Sequence, residues 1–199
     1  MIAIIDYGAG NLRSVKKAFD YLKVESQVIS SPDQLTGATK IVLPGVGAFG
    51  AAVQKLHEFG FYDAIRNWLL ANQPFLGICL GMQLLLETSQ ESPGVKGLSI
   101  FEGENLRFDA AKVPQIGWNQ VQVQRKSRLF ADIPNGSFFY FLHGYYLSPR
   151  EDKIIIATTD YGIEYPSAIE LGNIAAVQFH PEKSGDLGLR LLKNWIELC

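Results

Sequence analysis

The stretch PFLGICLGMQ, Pro74 to Gln83, changes character at its midpoint. Pro74 to Ile78 is a short apolar run of the kind that fills a strand covered on both faces, and Leu80 opens a run of good helix formers that predicts a helix from Leu80 to Glu87. The turn between them is Gly77-Ile78-Cys79-Leu80-Gly81, with glycine two residues to either side of a lone cysteine. This spacing suits a sharp strand-to-helix elbow that lifts the central side chain out of a sheet. The residues two places away are crowded there, and glycine avoids the clash. A thiol at such a place also sits at a helix N-terminus, which favours the reactive thiolate.

Working outward, Met1 to Asp6 is a second continuous apolar run, and Leu12, Val15, Phe19 and Leu22 recur at helical spacing. Strands are predicted at Ser26 to Ile29 and Lys40 to Leu43, followed by the glycine-rich PGVGAFG. A helical region from Ala51 to Asn72 should break near Gly60. Repeated strand–helix units specify an α/β fold, a mostly parallel doubly wound sheet with right-handed crossovers and a flavodoxin-like core. Beyond Ser92 short alternating runs predict additional, largely antiparallel strands at Asn119 to Val123, Phe138 to Leu142, Ile154 to Thr158, Ala168 to Glu170 and Ile174 to Phe179. Leu187, Leu191, Trp195 and Leu198 make the apolar stripe of a closing helix, while Glu91 to Gly97 and Phe108 to Gly117 read as inserted loops. The 199 residues are expected to form one domain, 1–199.

The 18 basic and 20 acidic residues leave a net charge near −2, which argues against a phosphate-binding footprint and hence against nucleic acid as a partner. Apolar runs fall short of the roughly 20 residues of a membrane span, and the MIAIIDYG start lacks a basic targeting region, so a soluble cytoplasmic protein is expected. The two cysteines, Cys79 and Cys199, are too few for a disulfide framework, and no metal or cofactor is called for. Gly8-Ala9-Gly10 does not complete a dinucleotide fingerprint, because Arg13 stands where the third glycine would be.

A cysteine nucleophile needs a base, and the choice lies among His57, His143 and His180. His57 belongs to a helical stretch, QKLHEF, and reads as a surface residue. His180 ends an apolar strand, where an open α/β sheet presents its ligands, and Glu182 is near enough to orient its ring. Oxyanion donors are expected from the Leu80 amide and from the PGVG loop, with Val46 the candidate in that loop.

GICLGMQ at Gly77 to Gln83 together with His180-Pro181-Glu182 resembles the triad, or class I, glutamine amidotransferases. DYGAGN (Asp6 to Asn11), PGVGAFG (Pro44 to Gly50), GVKGL (Gly94 to Leu98), VPQIGWN (Val113 to Asn119) and FHPEKS (Phe179 to Ser184) are similar, more narrowly, to the glutaminase subunits of imidazole glycerol phosphate synthases. The resemblance implies Cys79 as nucleophile, His180 as acid and base, and Glu182 as its orienting partner. It implies glutamine contacts at Gly45, Gly47, Gln83 and His143 to Tyr145, where Gly144 replaces the family's usual Ser or Thr. It also implies a cyclase partner with a (βα)₈ barrel, facing Asn11, Trp118, Tyr140 and Lys183, and an ammonia product passed to that partner. The other readings are the glutaminase subunit of pyridoxal phosphate synthesis, a standalone cysteine γ-glutamyl hydrolase and a non-catalytic module on the same scaffold.

Overall fold

The computed structural model describes residues 1–109 and 112–199; Ala110 and Ala111, within the expected Phe108 to Gly117 loop, lie outside the described residues. The chain begins with β1 (Ile2–Ile5), α1 (Leu12–Tyr21), β2 (Ser26–Ile29) and β3 (Lys40–Gly45). Two helices follow, α2 (Phe49–Glu58) and α3 (Phe61–Leu70), separated at Gly60, whose left-handed φ of 74° ends the first and starts the second. Next come β4 (Phe75–Cys79) and α4 (Leu80–Gln83), then β5 (Leu86–Ser89), β6 (Phe101–Arg107), β7 (Gln115–Val123), β8 (Ser137–His143) and β9 (Tyr145–Pro149). The chain closes with β10 (Ile155–Asp160), β11 (Glu164–Leu171), β12 (Ile174–Val177) and α5 (Gly185–Leu198).

Nine strands form one sheet in the order β2-β1-β3-β4-β12-β11-β10-β7-β8. The first five run parallel, and each later neighbour is antiparallel to the one before. The α/β reading is therefore correct, with the antiparallel strands extending the sheet beyond β12. Strands β1, β4 and β12 are buried at every position, which is why their sequences are continuous apolar runs rather than alternating ones.

The helix expected from Leu80 to Glu87 stops at Gln83, and this expectation is corrected. Leu84, Leu85 and Leu86 are all buried, and their backbone is claimed by a neighbouring segment: Leu98 N donates to Leu84 O at 2.7 Å and Ile100 N to Leu85 O at 2.9 Å. That pairing leads into a second sheet, β5-β6-β9, which the charges and glycine of FEGENLR had concealed. Strand β7 also starts at Gln115, four residues earlier than expected, so part of the supposed loop is sheet.

The layers are joined by large side chains. Trp195 of α5 has no exposed surface, meets Phe19 of α1 edge to face at 6.2 Å, and donates from Nε1 to Phe75 O at 3.3 Å. Trp195→Ala should therefore cost about 3–5 kcal/mol, checked by urea unfolding; a loss below about 1 kcal/mol would show that the site collapses without a cavity.

Candidate active site

Cys79 ends β4 and precedes α4 with φ 55° and ψ −108°, a conformation costly for a side-chain-bearing residue. The cause is close packing. A Cβ on Gly81 would lie 1.8 Å from Leu43 O in β3, and one on Gly77 would lie 2.7 Å from Gly81 O. These glycines let α4 press against the sheet, and the chain can turn that tightly only through the strained cysteine. Gly45, paired with Cys79 across β3 and β4, is similarly restricted, since a Cβ there would meet Tyr7 Oη at 2.4 Å.

The base arrives from the neighbouring strand. After β12 the chain continues through Gln178 and Phe179 to His180, whose amide donates to Tyr140 O at 2.8 Å. Pro181 begins a short 3₁₀ turn, Pro181–Lys183, anchored by Ser184 Oγ donating to His180 O at 2.7 Å. This turn swings Glu182 back so that its Oε1 lies 2.9 Å from His180 Nδ1, with both side chains almost wholly buried. Burial alone pushes the His180 pKa down, but interaction with the Cys79 sulfur and with the Glu182 carboxylate outweighs it and holds the pKa above its ordinary value. Among the described residues Nε2 has no aligned hydrogen-bond partner, so the ring nitrogen available for proton transfer is the one not taken by Glu182.

Cys79 opens on a cavity of about 150 Å³ lined by Val46, Gly47, Leu80, Gln83, Glu91, Leu142 and the His143–Tyr145 segment. The structure thus gathers Cys79, Val46, Gly47, Leu80, Gln83, His143, Gly144 and Tyr145 at one place, with His180 and Glu182 buried behind the sulfur. Gly45 supports the wall from β3 instead of lining it. Gly47 has φ 102° with open space around its Cα, and Val46 is exposed. Gly144 is not sterically required, because a Cβ there would meet only Val113 Cγ1 at 3.5 Å and Pro114 Cβ at 3.9 Å.

Glu91 was missed by sequence reasoning. It lines the cavity while its Oε2 accepts from Phe49 N at the start of α2, at 2.6 Å. A lone carboxylate in a loop carries no local signal; only the packing of that loop against α2 brings it to the cavity. Gln83 is also more committed than expected. Its Nε2 donates to Tyr145 O at 2.9 Å and to Gln178 Oε1 at 3.1 Å, which leaves Oε1 as its free polar atom.

His57 is exposed and stacks on Tyr62 at 4.0 Å, as expected of a surface residue. His143 is a different kind of histidine. Its Nδ1–H donates to Tyr145 O at 2.8 Å, the Tyr165 hydroxyl lies 3.2 Å from Nε2, and burial lowers its pKa to about 4. It is neutral at pH 7 and holds the cavity wall in place.

Trp118, Tyr140 and Lys183 form a surface group, with the two rings 6.2 Å apart and Lys183 Nζ 5.8 Å from the Tyr140 ring centre. Asn11 sits apart at the start of α1, where its Oδ1 accepts from Ser14 Oγ at 3.0 Å.

A strained cysteine on a strand-to-helix elbow, with a buried His–Glu pair at the end of the adjacent parallel strand, is an arrangement able to carry cysteine-nucleophile chemistry on an α/β sheet. The chain belongs to the family "Glutamine amidotransferase class-I", whose profile matches residues 3–198. It is 50% identical over 198 residues to the imidazole glycerol phosphate synthase subunit HisH of Moorella thermoacetica, covering 99% of this chain and 94% of that one. It is 47% identical over 200 residues to the subunit of the same name from Methanocaldococcus jannaschii, covering all of both chains. Among solved structures it resembles a glutamine amidotransferase at TM-score 0.77 and 18% identity, covering 98% of this chain and 99% of that one. A structure of PurLQS from Thermotoga maritima matches at TM-score 0.74 and 18% identity, covering 98% and 96%.

Two outcomes follow. Gly81→Ala should cost more than about 4 kcal/mol or prevent folding, since the clash is with β3 backbone, and near-parental urea stability would contradict the elbow packing. His143 is held neutral by folding, so the unfolded chain takes up its proton first as pH falls. The stability it supplies is complete above pH 6.5 and is lost progressively down to about 4, amounting to about 3 kcal/mol. His143→Asn should accordingly lose less stability than the parent between neutral pH and pH about 4.5. Parallel losses in urea unfolding would remove His143 from the acid limb.

Proposed function

We propose that this chain is the glutaminase subunit of an imidazole glycerol phosphate synthase, hydrolysing glutamine and passing ammonia to a cyclase subunit in histidine biosynthesis. The observation that carries the reading is Cys79 at the elbow beside the buried His180–Glu182 pair, opening on a small cavity that Gln83 and Glu91 line with polar groups. Relatives near 50% identity over the whole chain support the particular synthase.

The Cys79 sulfur attacks the side-chain amide carbon of glutamine, and the carbon–oxygen double bond opens to an oxyanion. The Leu80 amide at the start of α4 and the Val46 amide are the proposed donors to it. His180 then gives a proton to the departing nitrogen, which leaves as ammonia and a γ-glutamyl thioester on Cys79. Water, deprotonated by His180, attacks the thioester; glutamate leaves and the sulfur is regenerated. Glu182 keeps Nδ1 protonated and the ring aimed throughout. The free Oε1 of Gln83 and the Glu91 carboxylate suit the substrate's ammonium group, and the backbone from His143 to Tyr145 forms the opposite wall.

The partner's surface is proposed on the β7–β8 hairpin. Ile116, Trp118, Phe138 and Leu142 are exposed there on one face, and Leu142 also lines the cavity. A barrel partner covering this face would press directly on the substrate wall. Val46-Gly47, exposed and with a positive φ at Gly47, is the segment whose peptide would rotate on docking to complete the oxyanion hole; one absent donor costs about 10²–10³ in rate.

The test is ammonia release from glutamine by the isolated chain, by the complex with its cyclase, and by that complex with cyclase ligand. Cys79→Ser should lower glutamine-dependent turnover by at least about 10³-fold while ammonia supplied directly still supports the cyclase reaction. His180→Asn should cost nearly as much and Glu182→Gln less, because the latter removes orientation and keeps the base. Equal rates in all three states of the parent would favour a standalone γ-glutamyl hydrolase.

A further inference from the structure

Gln178 lies two residues before His180, in the bend that follows β12, and both side chains reach Cys79. Phe179 between them points away, packing on Phe139 at 4.3 Å and Phe141 at 5.6 Å. Gln178 has no exposed surface, and its Nε2 donates to Cys79 Sγ at 3.6 Å. Its other end is taken, since Oε1 accepts from Gln83 Nε2 at 3.1 Å, and Gln83 is itself held by Tyr145 O and by Asn105 Nδ2, which donates to Gln83 O at 3.0 Å. With the carbonyl end committed to a donor, the end facing sulfur is the NH₂ group.

That orientation discriminates between the two forms of the sulfur. Leu142 O, 3.7 Å from Sγ on another side, can accept from a thiol but repels a thiolate. An amide N–H does the reverse, because hydrogen bonds to an ionised acceptor are roughly twice as strong as neutral ones. We propose that Gln178 is a positioning residue for the nucleophile: its buried N–H stabilises the Cys79 thiolate and aims the sulfur, and the Gln83–Asn105 relay holds that amide the right way round. The kinetic consequence rests on the glutaminase reading, whereas the effect on the sulfur does not.

The titratable groups around the sulfur are His180 backed by Glu182, Tyr7 beneath β3, Tyr165 and His143 from the antiparallel strands, and Glu91 on the cavity wall. Burial keeps both phenols neutral and His143 uncharged at neutral pH, so removal of the Gln178 donor is read against the Cys79–His180 pair.

The experiment uses the full chain with Cys199→Ser, which leaves Cys79 as its single thiol, and follows iodoacetamide alkylation between about pH 5 and 10. Gln178→Met keeps length and removes the donor; the alkylation midpoint should rise by about one pH unit, a tenfold slower reaction below the midpoint. Gln178→Glu, with a carboxylate facing the sulfur, should raise it further. Gln83→Met frees the Gln178 amide to turn and should raise it by a smaller amount. In the complex with its cyclase, Gln178→Met should lower kcat for glutamine about tenfold with KM changed by less than about twofold. A merely structural role would lower the unfolding temperature and leave the midpoint in place. An unchanged or lowered midpoint in folded Gln178→Met, or in Gln83→Met should the first variant not fold, overturns the proposal. A raised midpoint in a chain that releases no ammonia in any state would instead uphold the proposal and refute the glutaminase reading.

Discussion

Where α4 leaves β4, its backbone runs so close to β3 that the space a Cβ of residue 81 would need is already filled by the Leu43 carbonyl. The same constraint works downward through Gly77, which lies beneath the Gly81 carbonyl, and sideways through Gly45, which is paired with Cys79 and packed over Tyr7. Parallel pairing on both sides of β4 leaves the turn no room to relax, so the strain falls on Cys79 at φ 55°. Such a residue stores about 1–3 kcal/mol, held because the surrounding sheet over-determines it. In return the sulfur is raised out of the sheet at a position shared by His180, the Val46-Gly47 loop and the cavity wall from His143 to Tyr145.

That wall is formed where the chain changes sheets. Strand β8 belongs to the nine-stranded sheet and β9 to the small one, and Gly144 is the single residue between them. Phe108, His143, Tyr146 and Tyr165 pack around the crossing with ring separations of about 5 Å, so aromatic contacts support it where the strand pairing is interrupted. The second sheet therefore serves to close one side of the cavity. It also fastens the Gln83 backbone through Asn105, linking the far wall to the elbow helix.

The two buried histidines show how partners decide a histidine's work. His143 has a carbonyl and a phenol for neighbours, neither of which offsets the loss of water around a cation, and its pKa falls. His180 is at least as deeply buried but has a carboxylate on one side and a sulfur on the other, and its pKa rises. One is a fixed neutral strut; the other can carry and return a proton. Part of this difference is written beside His180, where Glu182 follows two residues later; the remainder comes from the Cys79 sulfur on another element.

Local sequence determined what local physics controls. Uninterrupted apolar runs at β1 and β4 marked strands buried on both faces, glycines flanking Cys79 marked the elbow, and His180-Pro181-Glu182 marked a base with its support at a strand end, whereas Ile174 to Phe179 read as one of the alternating runs and only pairing with β4 shows β12 to be a parallel, fully buried strand ending at Val177. What the sequence could not show depends on long-range pairing. The triple leucine after Gln83 has helical propensity, yet the carbonyls of Leu84 and Leu85 are taken by Leu98 and Ile100, so it becomes the lead-in to β5. FEGENLR is too polar and glycine-broken to read as a strand until β5 and β9 flank it. The same holds for Glu91 and Gln178. A side chain's type is written in the chain, but which cavity it lines and which atom it faces are decided by segments far away in sequence, through burial and hydrogen bonds that exist only once the sheets have closed.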